Sequence, residues 1–462
     1  MSQTGCVTVG PDYVRPEVKL DDAWHNGADS NLAGNTSGYQ SVLQWWQAID
    51  DSLLAGLMNR ALANSNDLQE AKARVRQARA LRGVTQSGYY PSVTTGGSAD
   101  WNRTGKTKGT GIDGSSAMAD FDASWELDLF GGVRRSVEAK TADMQAAEEN
   151  LHDVQITLLA ETALNYIDVR TYQERIRLAE SNLSLQTETW QLAQWQNQAG
   201  LSDELAVQQA RYSLESTRSS IPGIRTSLEA AMNRIEVLLG EQPGRLHDAL
   251  SISRPLPVIN TNPETGVPAD LIRRRPDVRR AERQLASQTA QIGVAKAELY
   301  PKFSLGGSIG VNAPSVEKLF SSATWIFSGG PQFSWSIFKA GAIQNNIDAQ
   351  YAARDQYLYA YKSTVLSAVE EVENAITAYA QEQQRRQSLS NAADAARKAG
   401  ELARQKYQAG LTDFSAILDA QRSLVSFEDQ LAQSSGTLAA DLIRLYKALG
   451  GGWETLAIEE NQ

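Results

Sequence analysis

Hydrophobic positions along this chain keep two different periods. Ala119, Phe121, Ala123, Trp125, Leu127 and Leu129 alternate with Asp120, Asp122, Ser124, Glu126 and Asp128. A period of two gives a strand with one apolar and one acidic face. Phe303, Leu305, Gly307, Ile309 and Val311 alternate in the same way with Lys302, Ser304, Gly306, Ser308 and Gly310, and 93–102 behaves similarly. Phe333, Trp335 and Ile337, set between Ser334 and Ser336, supply a fourth run. Strands are therefore expected at about 90–103, 118–130, 301–312 and 324–338. Trp101, Trp125, Phe130, Tyr300, Trp325, Trp335 and Phe338 lie towards their ends. This fits a transmembrane barrel, apolar towards lipid and polar towards a lumen. A soluble sheet half-buried on a core has the same alternation.

The remaining hydrophobic positions step by three and four. Val365, Val369, Val372, Ile376 and Tyr379, resumed by Leu389, Ala393, Ala396, Gly400, Ala403 and Tyr407, make a coiled-coil seam. Ile176, Ala179, Leu183, Trp190 and Ala193 are a weaker version. Segments of about 133–198 and 341–408 are each long enough for a helix of roughly 100 Å, the length of a tube wall. A coiled-coil scaffold without a pore accounts for the helices alone, but not for the strands.

The two periods occur twice, in one register. DLQEAKARVRQARALRGVTQSGYYPSVTTGGS from Asp67 aligns without a gap on DVRRAERQLASQTAQIGVAKAELYPKFSLGGS from Asp277. At the same offset of 210, QAGLSD from Gln198 meets QAGLTD from Gln408. This duplication divides the chain into an N-terminal extended segment (1–50), a first repeat (51–242), a Pro-, Asn- and Gly-rich linker (243–268), a second repeat (269–452) and a tail (453–462).

Composition narrows the function. With 462 residues, 42% hydrophobic and 21% charged, the chain can bury a large core. A net charge of -10 lacks the basic footprint of a nucleic-acid binder. No run approaches the 18 apolar residues of a membrane helix, so any span is made by strands. Four strands cannot close, because an open edge in lipid leaves backbone groups unsatisfied at several kcal/mol each. Two chains give eight strands and three give twelve, and the sequence alone does not choose. His25, His152 and His247 are scattered, and Cys6 is the single cysteine, so no metal site, cofactor or active site is indicated. Behind Thr4 and Gly5, Cys6 resembles the end of a bacterial lipobox, although Gln3 stands where an aliphatic residue is usual. Residues 1–5 read as the remnant of a shortened or replaced leader. The other reading of Cys6 is an inert small hydrophobe.

GPDYVRP from Gly10, WWQAIDDSLLAGLMNRALANSNDL from Trp45, SWELDLFGGVRR from Ser124, LIRRRPDVRRAERQLASQTAQIGVAKAELYP from Leu271, GLTDFSAILDAQRSL from Gly410 and KALGGGW from Lys447 closely resemble the TolC-like outer-membrane factors of tripartite efflux pumps. The likeness covers nearly the whole chain, and the GPDY start points to the lipoprotein branch that serves resistance-nodulation-division (RND) transporters. It implies a mainly α fold with a β-barrel portion: a homotrimer whose twelve strands form one barrel, continued by a helical periplasmic tunnel. It also implies a periplasmic adaptor and an inner-membrane RND transporter as partners, and a Gram-negative outer membrane as the site, with acylation at Cys6.

Three groups of residues are candidates for function. If even-numbered faces look inward, Asp100, Asp120, Asp122, Glu126 and Asp128 line the lumen and favour cations; a solvated acidic surface is the alternative. Each QAGL turn joins two long helices, which lets Ser202 and Thr412 cap the following helices with Asp203 and Asp413 in their first turns. The resemblance makes these tips, Gly200, Leu201, Ser202, Gly410, Leu411 and Thr412, the adaptor contact. Ser415, Asp419 and Arg422 share one helix face, and the resemblance places an aspartate of the LDAQ motif at a periplasmic constriction. Three such carboxylates near an axis repel, so the closed state is expected to respond to pH or ions. A plain Asp419–Arg422 helix pair is the alternative. Tyr407 is a further gate candidate, or a packed aromatic.

Overall fold

The computed structural model describes residues 8–21, 23–25, 49, 51–103, 113–257, 268–321 and 324–451. In chain order the elements are α1 (Ser52–Asn64), α2 (Asn66–Gln86), β1 (Ser92–Arg103), β2 (Asp113–Leu127), α3 (Gly132–Gln198), α4 (Glu204–Leu238), a short α5 (His247–Ser251), α6 (Pro268–Arg274), α7 (Pro276–Ala297), β3 (Lys302–Ala313), β4 (Trp325–Ser334), α8 (Ala342–Gln408) and α9 (Phe414–Ala448). The offset of 210 holds to the residue at both ends of α3 and α8 and of α4 and α9, and at the start of β1 and β3. The left-handed glycines repeat with it: Gly131 and Gly341, Gly200 and Gly410, Gly240 and Gly450 all have positive φ. Each pair stands at the start or end of a helix, in a backbone conformation that a side chain with a Cβ resists.

The chain divides into two compact units, one built from Met1–Glu17, Ala73–Glu149 and Arg279–Ser363, the other from Val18–Lys72, Asn150–Val278 and Thr364–Gln462. The first holds the sheet, antiparallel throughout in the order β1-β2-β3-β4. β2 starts at Asp113, before the 118 expected, because Gly114, Ser115 and Ser116 have no apolar member to announce a strand. It ends at Leu127, and β4 ends at Ser334, so Asp128, Trp335 and Ile337 fall outside the strands.

In the first unit the GPDYVRP segment is stapled down. Val9 N–H donates to the Phe130 carbonyl (3.1 Å). The buried Arg135 guanidinium bonds the Val9 carbonyl at 3.1 Å and the Asp12 carboxylate at 2.7 Å. Glu282 takes both the Tyr13 hydroxyl (3.3 Å) and Arg15 (2.9 Å). Gly10, at φ 97°, lies against the Gly293 backbone, where a Cβ has no room.

The two long helices α3 and α8, which enter the second unit at Asn150 and Thr364, are each 67 residues long, about 100 Å at 1.5 Å per residue. The α8 seam buries Val365, Ala368, Val372, Ile376 and Tyr379. Ala368 takes the place expected of Val369, which is half-buried. Along the last part of α3, between Ile176 and Ala193, the buried positions are Asn182, Gln186, Thr189 and Ala193, whereas the expected Ile176, Ala179, Leu183 and Trp190 are half-buried. Their polar groups find partners on other helices: Asn182 Nδ2 donates to Glu428 (3.2 Å), and Thr189 accepts from Gln421 (2.8 Å). Asp51 caps α1 through the N–H groups of Leu53 (2.9 Å) and Leu54 (3.2 Å). It also accepts from the Tyr166 hydroxyl, whose pKa burial, together with that hydrogen bond, pushes up to about 12. Among the described residues no helix is long and apolar enough to cross a membrane.

Candidate functional site

Three features hold the candidate residues: the two faces of the sheet, the helix tips and the helix face at Asp419. The register decides the first. β1 pairs with β2 as Gly96 with Asp120 and Thr94 with Asp122. β2 pairs with β3 as Asp120 with Gly310 and Glu126 with Ser304, and β3 pairs with β4 as Ser308 with Ser328 and Ser304 with Gln332. Even always meets even, so all even-numbered side chains share one face. Asp100, Asp120, Asp122 and Glu126 are on it, with Lys302 for a cation and serine, threonine, glycine and glutamine for most of the rest. The odd face carries Val93, Trp101, Phe121, Trp125, Leu305, Ile309, Trp325, Phe327 and Phe333, all exposed. An apolar face of this extent is a surface for lipid.

Asp128 is not part of the acidic face. Its carboxylate accepts from the backbone N–H groups of Val133 (3.0 Å) and Arg134 (2.9 Å) and from Arg134 Nε (3.1 Å), which holds the start of α3 by its N-terminal dipole. At the strand ends Trp125 Nε1 donates to the Tyr89 carbonyl and Trp335 Nε1 to the Leu299 carbonyl, both at 3.0 Å. The two indoles are 210 residues apart, and each ties the end of its repeat's second strand run to the turn that follows the repeat's incoming helix.

The tips are twins. Leu201 N–H reaches the Gln196 carbonyl (2.8 Å) and Gly200 N–H the Asn197 carbonyl (2.9 Å); Leu411 and Gly410 make the same bonds to Lys406 (2.8 Å) and Tyr407 (2.9 Å). These are Schellman closures, with the glycines at φ 71° and 68°. Leu201 and Leu411 project beyond them, 79% and 75% exposed, with no apolar neighbour required by the fold. The expected caps shift by one residue. Asp203 is the N-cap of α4 and accepts from Ala206 N–H (3.0 Å), and Asp413 is the N-cap of α9. The Ser202 carbonyl instead accepts from Asn197 Nδ2 (3.1 Å).

On α9, Ser415, Asp419 and Arg422 are exposed on one face. Arg422 pairs with Asp419 at 3.2 Å and also donates to the Tyr212 hydroxyl on α4 at 2.9 Å. Tyr212 is not singled out by the sequence pattern. Its signal is there all the same: it occupies the place 210 before Arg422. Tyr407 stands apart from this face. Its ring meets Phe414 edge-on at 5.5 Å, its hydroxyl donates to Gln196, and it packs on a core of Ala193, Ala206, Val207, Ala210, Ile417 and Leu418. Cys6 lies outside the described residues. Among those described no cluster of His, Cys, Asp and Glu is placed to hold a metal.

A sheet with one lipid-facing and one acidic polar face, carried on helices of this length, defines a share of a membrane channel wall. The family model for outer membrane efflux proteins matches the chain twice, over 57–241 and 267–451, at the same offset of 210. The chain belongs to the outer membrane efflux protein family. It is 30% identical to nodulation protein T of Rhizobium leguminosarum bv. trifolii, over 98% of this chain and 96% of the relative. It is 29% identical to the toluene efflux pump outer membrane protein TtgF of Pseudomonas putida, over 98% and 95%. Among solved structures the outer-membrane channel OprN superposes with a TM-score of 0.90 at 38% identity, covering 96% of this chain and 99% of that one. The fold is thus the TolC-like one, a barrel portion continued by a helical periplasmic tunnel. The protein is an efflux channel of the Gram-negative outer membrane, and the reading as a poreless scaffold falls.

Proposed function

We propose that three copies of this chain close a twelve-stranded barrel and act as the passive exit duct of a tripartite pump, with a periplasmic adaptor at the helix tips and an inner-membrane RND transporter supplying the energy. The observation that carries this reading is the sheet's register: the polar sides of all four strands face one way, while among the described residues both outer edges are left without a partner strand. The lumen is lined by Asp100, Asp120, Asp122 and Glu126. Leu201 and Leu411, with Gly200, Ser202, Gly410 and Thr412, form the adaptor contact. Asp419, held by Arg422, narrows the periplasmic entrance, with Ser415 beside it and Tyr212 as the second hold on Arg422. Tyr407 supports that entrance through packing. Cys6 is the acylated residue that anchors the chain to lipid. The duct performs no catalytic step, and the transporter selects the cargo, a small toxic compound.

The test is reconstitution. Heat-modifiable trimers extracted from outer membranes should give small, stable conductance in planar bilayers, and Asp419→Ala should raise it several-fold. Unchanged conductance in a folded Asp419→Ala trimer removes the gate, and a soluble monomer removes the duct.

A further inference from the structure

The apolar seam of α8 lapses in its middle. Steps of three and four from Tyr379 lead to Glu382 and Arg386 before Leu389, so two seam positions carry charge where a coiled coil calls for apolar side chains. The first copy does not lapse: 210 residues earlier the same positions hold Tyr172 and Ile176. At the lapse lies a cleft of about 860 Å³, lined by α3, α8, α9 and the connector residues 255–257, all within the second unit. From α9 it receives Ala432, Ser435 and Ala439, which are too small to fill it. Packed interiors leave few voids larger than a water molecule, and a space of this size falls in the range of ligand pockets.

Its walls are held in place. The fully buried Arg170 donates to the Ile252 carbonyl at 2.8 Å, and Gln173 donates to the Leu250 carbonyl at 2.7 Å. These bonds fasten the connector to α3. The strip that follows, Pro255, Leu256 and Pro257, has a single N–H among three residues and so makes a wall with little demand for water. α3 and α9 approach so closely at Thr171 and Gly436 that a Cβ on the glycine has no room, which fixes their spacing beside the cleft. Inside, Tyr379 and Leu442 are buried and Leu178, Leu431 and Leu438 half-buried. The interior is apolar.

Five charged residues line the cleft, and four of them neutralise one another. Arg177 pairs with Glu174 at 2.6 Å and Arg397 with Glu428 at 2.9 Å. Arg386 is the fifth. Its Nε donates to Ser435 Oγ at 3.1 Å, and among the described residues no carboxylate meets it. The rest of its planar fork suits a carboxylate. We propose that the cleft binds a single-chain amphiphile with one negative head, such as a medium-chain carboxylate. Arg386 takes the head, and Leu178, Leu431 and Leu438 take the chain. The site occurs once per chain, because the first copy has Ile176 in place of Arg386 and Arg225 in place of Ser435. It goes beyond the exit-duct reading and depends on neither the gate nor the tips.

Photo-labelling tests it. Trimers in lipid nanodiscs, irradiated with an octanoate that carries a diazirine, should be labelled within 171–178 and 431–442. Excess plain octanoate should suppress that labelling, whereas octanol and octyltrimethylammonium should not. Arg386→Gln should lower it at least about tenfold, the loss expected for one charge-assisted contact, and Arg386→Lys should restore part of it. Ser435→Phe, which puts a ring into the cleft, should abolish it. Equal competition by octanol, undiminished labelling of Arg386→Gln, or labelling confined to the strands overturns the site. A phospholipid bearing the same diazirine should mark the strands and leave 431–442 unlabelled; marking of 431–442 by it makes the occupant a bilayer lipid and overturns the free amphiphile. Should Ser435→Phe fail to fold, the Arg386 pair decides, since that side chain is exposed and bonds only Ser435. A protein that stays monomeric removes the duct but not the cleft, which one chain builds entirely, and the monomer should then be labelled at the same segments. A monomer that is labelled beside a trimer that is not overturns the proposal.

Discussion

Asp441, a carboxylate of the helical unit, is only 6% exposed and takes one hydrogen bond from Arg444 at 2.6 Å. Burial raises its pKa, Arg444 pulls it back and Glu382 adds to the rise, leaving it above the ordinary carboxylate value. The folded state therefore holds this proton more tightly than the unfolded chain. Its contribution to stability is greatest below the unfolded pKa of about 4 and is lost as pH climbs through the raised folded value. Asp441→Asn keeps an acceptor for Arg444 and removes the charge. Its apparent Tm relative to the parent protein should improve from pH 4 to pH 7. A difference that is flat over this interval refutes the assignment.

The helix tips, one element joined to the next, can be separated into folding and docking. A Cβ added at Gly200 or Gly410 meets nothing within 4 Å, so substitution strains only the left-handed backbone, at about 1–2 kcal/mol. Gly200→Val and Gly410→Val trimers should form with a slightly lower Tm and lose adaptor-dependent export. Full export from folded trimers excludes the tips as the adaptor contact. The tips also show what is legible in a sequence. QAGLSD and QAGLTD announce two helix reversals, but Ser202 and Asp203 are both good caps, and only coordinates decide which accepts the hydrogen bond. Periodicity locates α8 well because its seam is apolar. In α3 it favours Leu183 and Trp190, since a hydrophobic pattern is blind to a seam built from Asn182, Gln186 and Thr189. Strand positions are legible where large apolar residues alternate, and lost at the Gly-Ser start of β2.

Across the whole molecule, duplication gives the proposed trimer a near-sixfold repeat, and the candidate functional residues break it. Asp419 has Gln209 as its counterpart, and Ser415 has Leu205, so an aspartate constriction is threefold. The proposed lumen lining is equally uneven. Asp100, Asp120, Asp122 and Glu126 all sit on first-repeat strands, and their counterparts are Gly310, Gly330, Gln332 and Ser336. In the proposed trimer four carboxylates per chain make twelve, against the Lys302 ammonium of each copy, and walls of low dielectric would focus that field into the passage. The reconstituted channel should pass cations in preference to anions. The preference should be strongest near 0.1 M salt, where the screening length is about 10 Å, and weak near 1 M, where it is about 3 Å. Replacing the four residues by Asn and Gln should bring the permeability ratio several-fold towards unity at low salt while leaving trimer formation intact, because none of the four is buried. Anion selectivity in the parent channel, or an unchanged ratio in the neutral variant, means that the acidic face does not set ion preference and that some narrower part of the tunnel does.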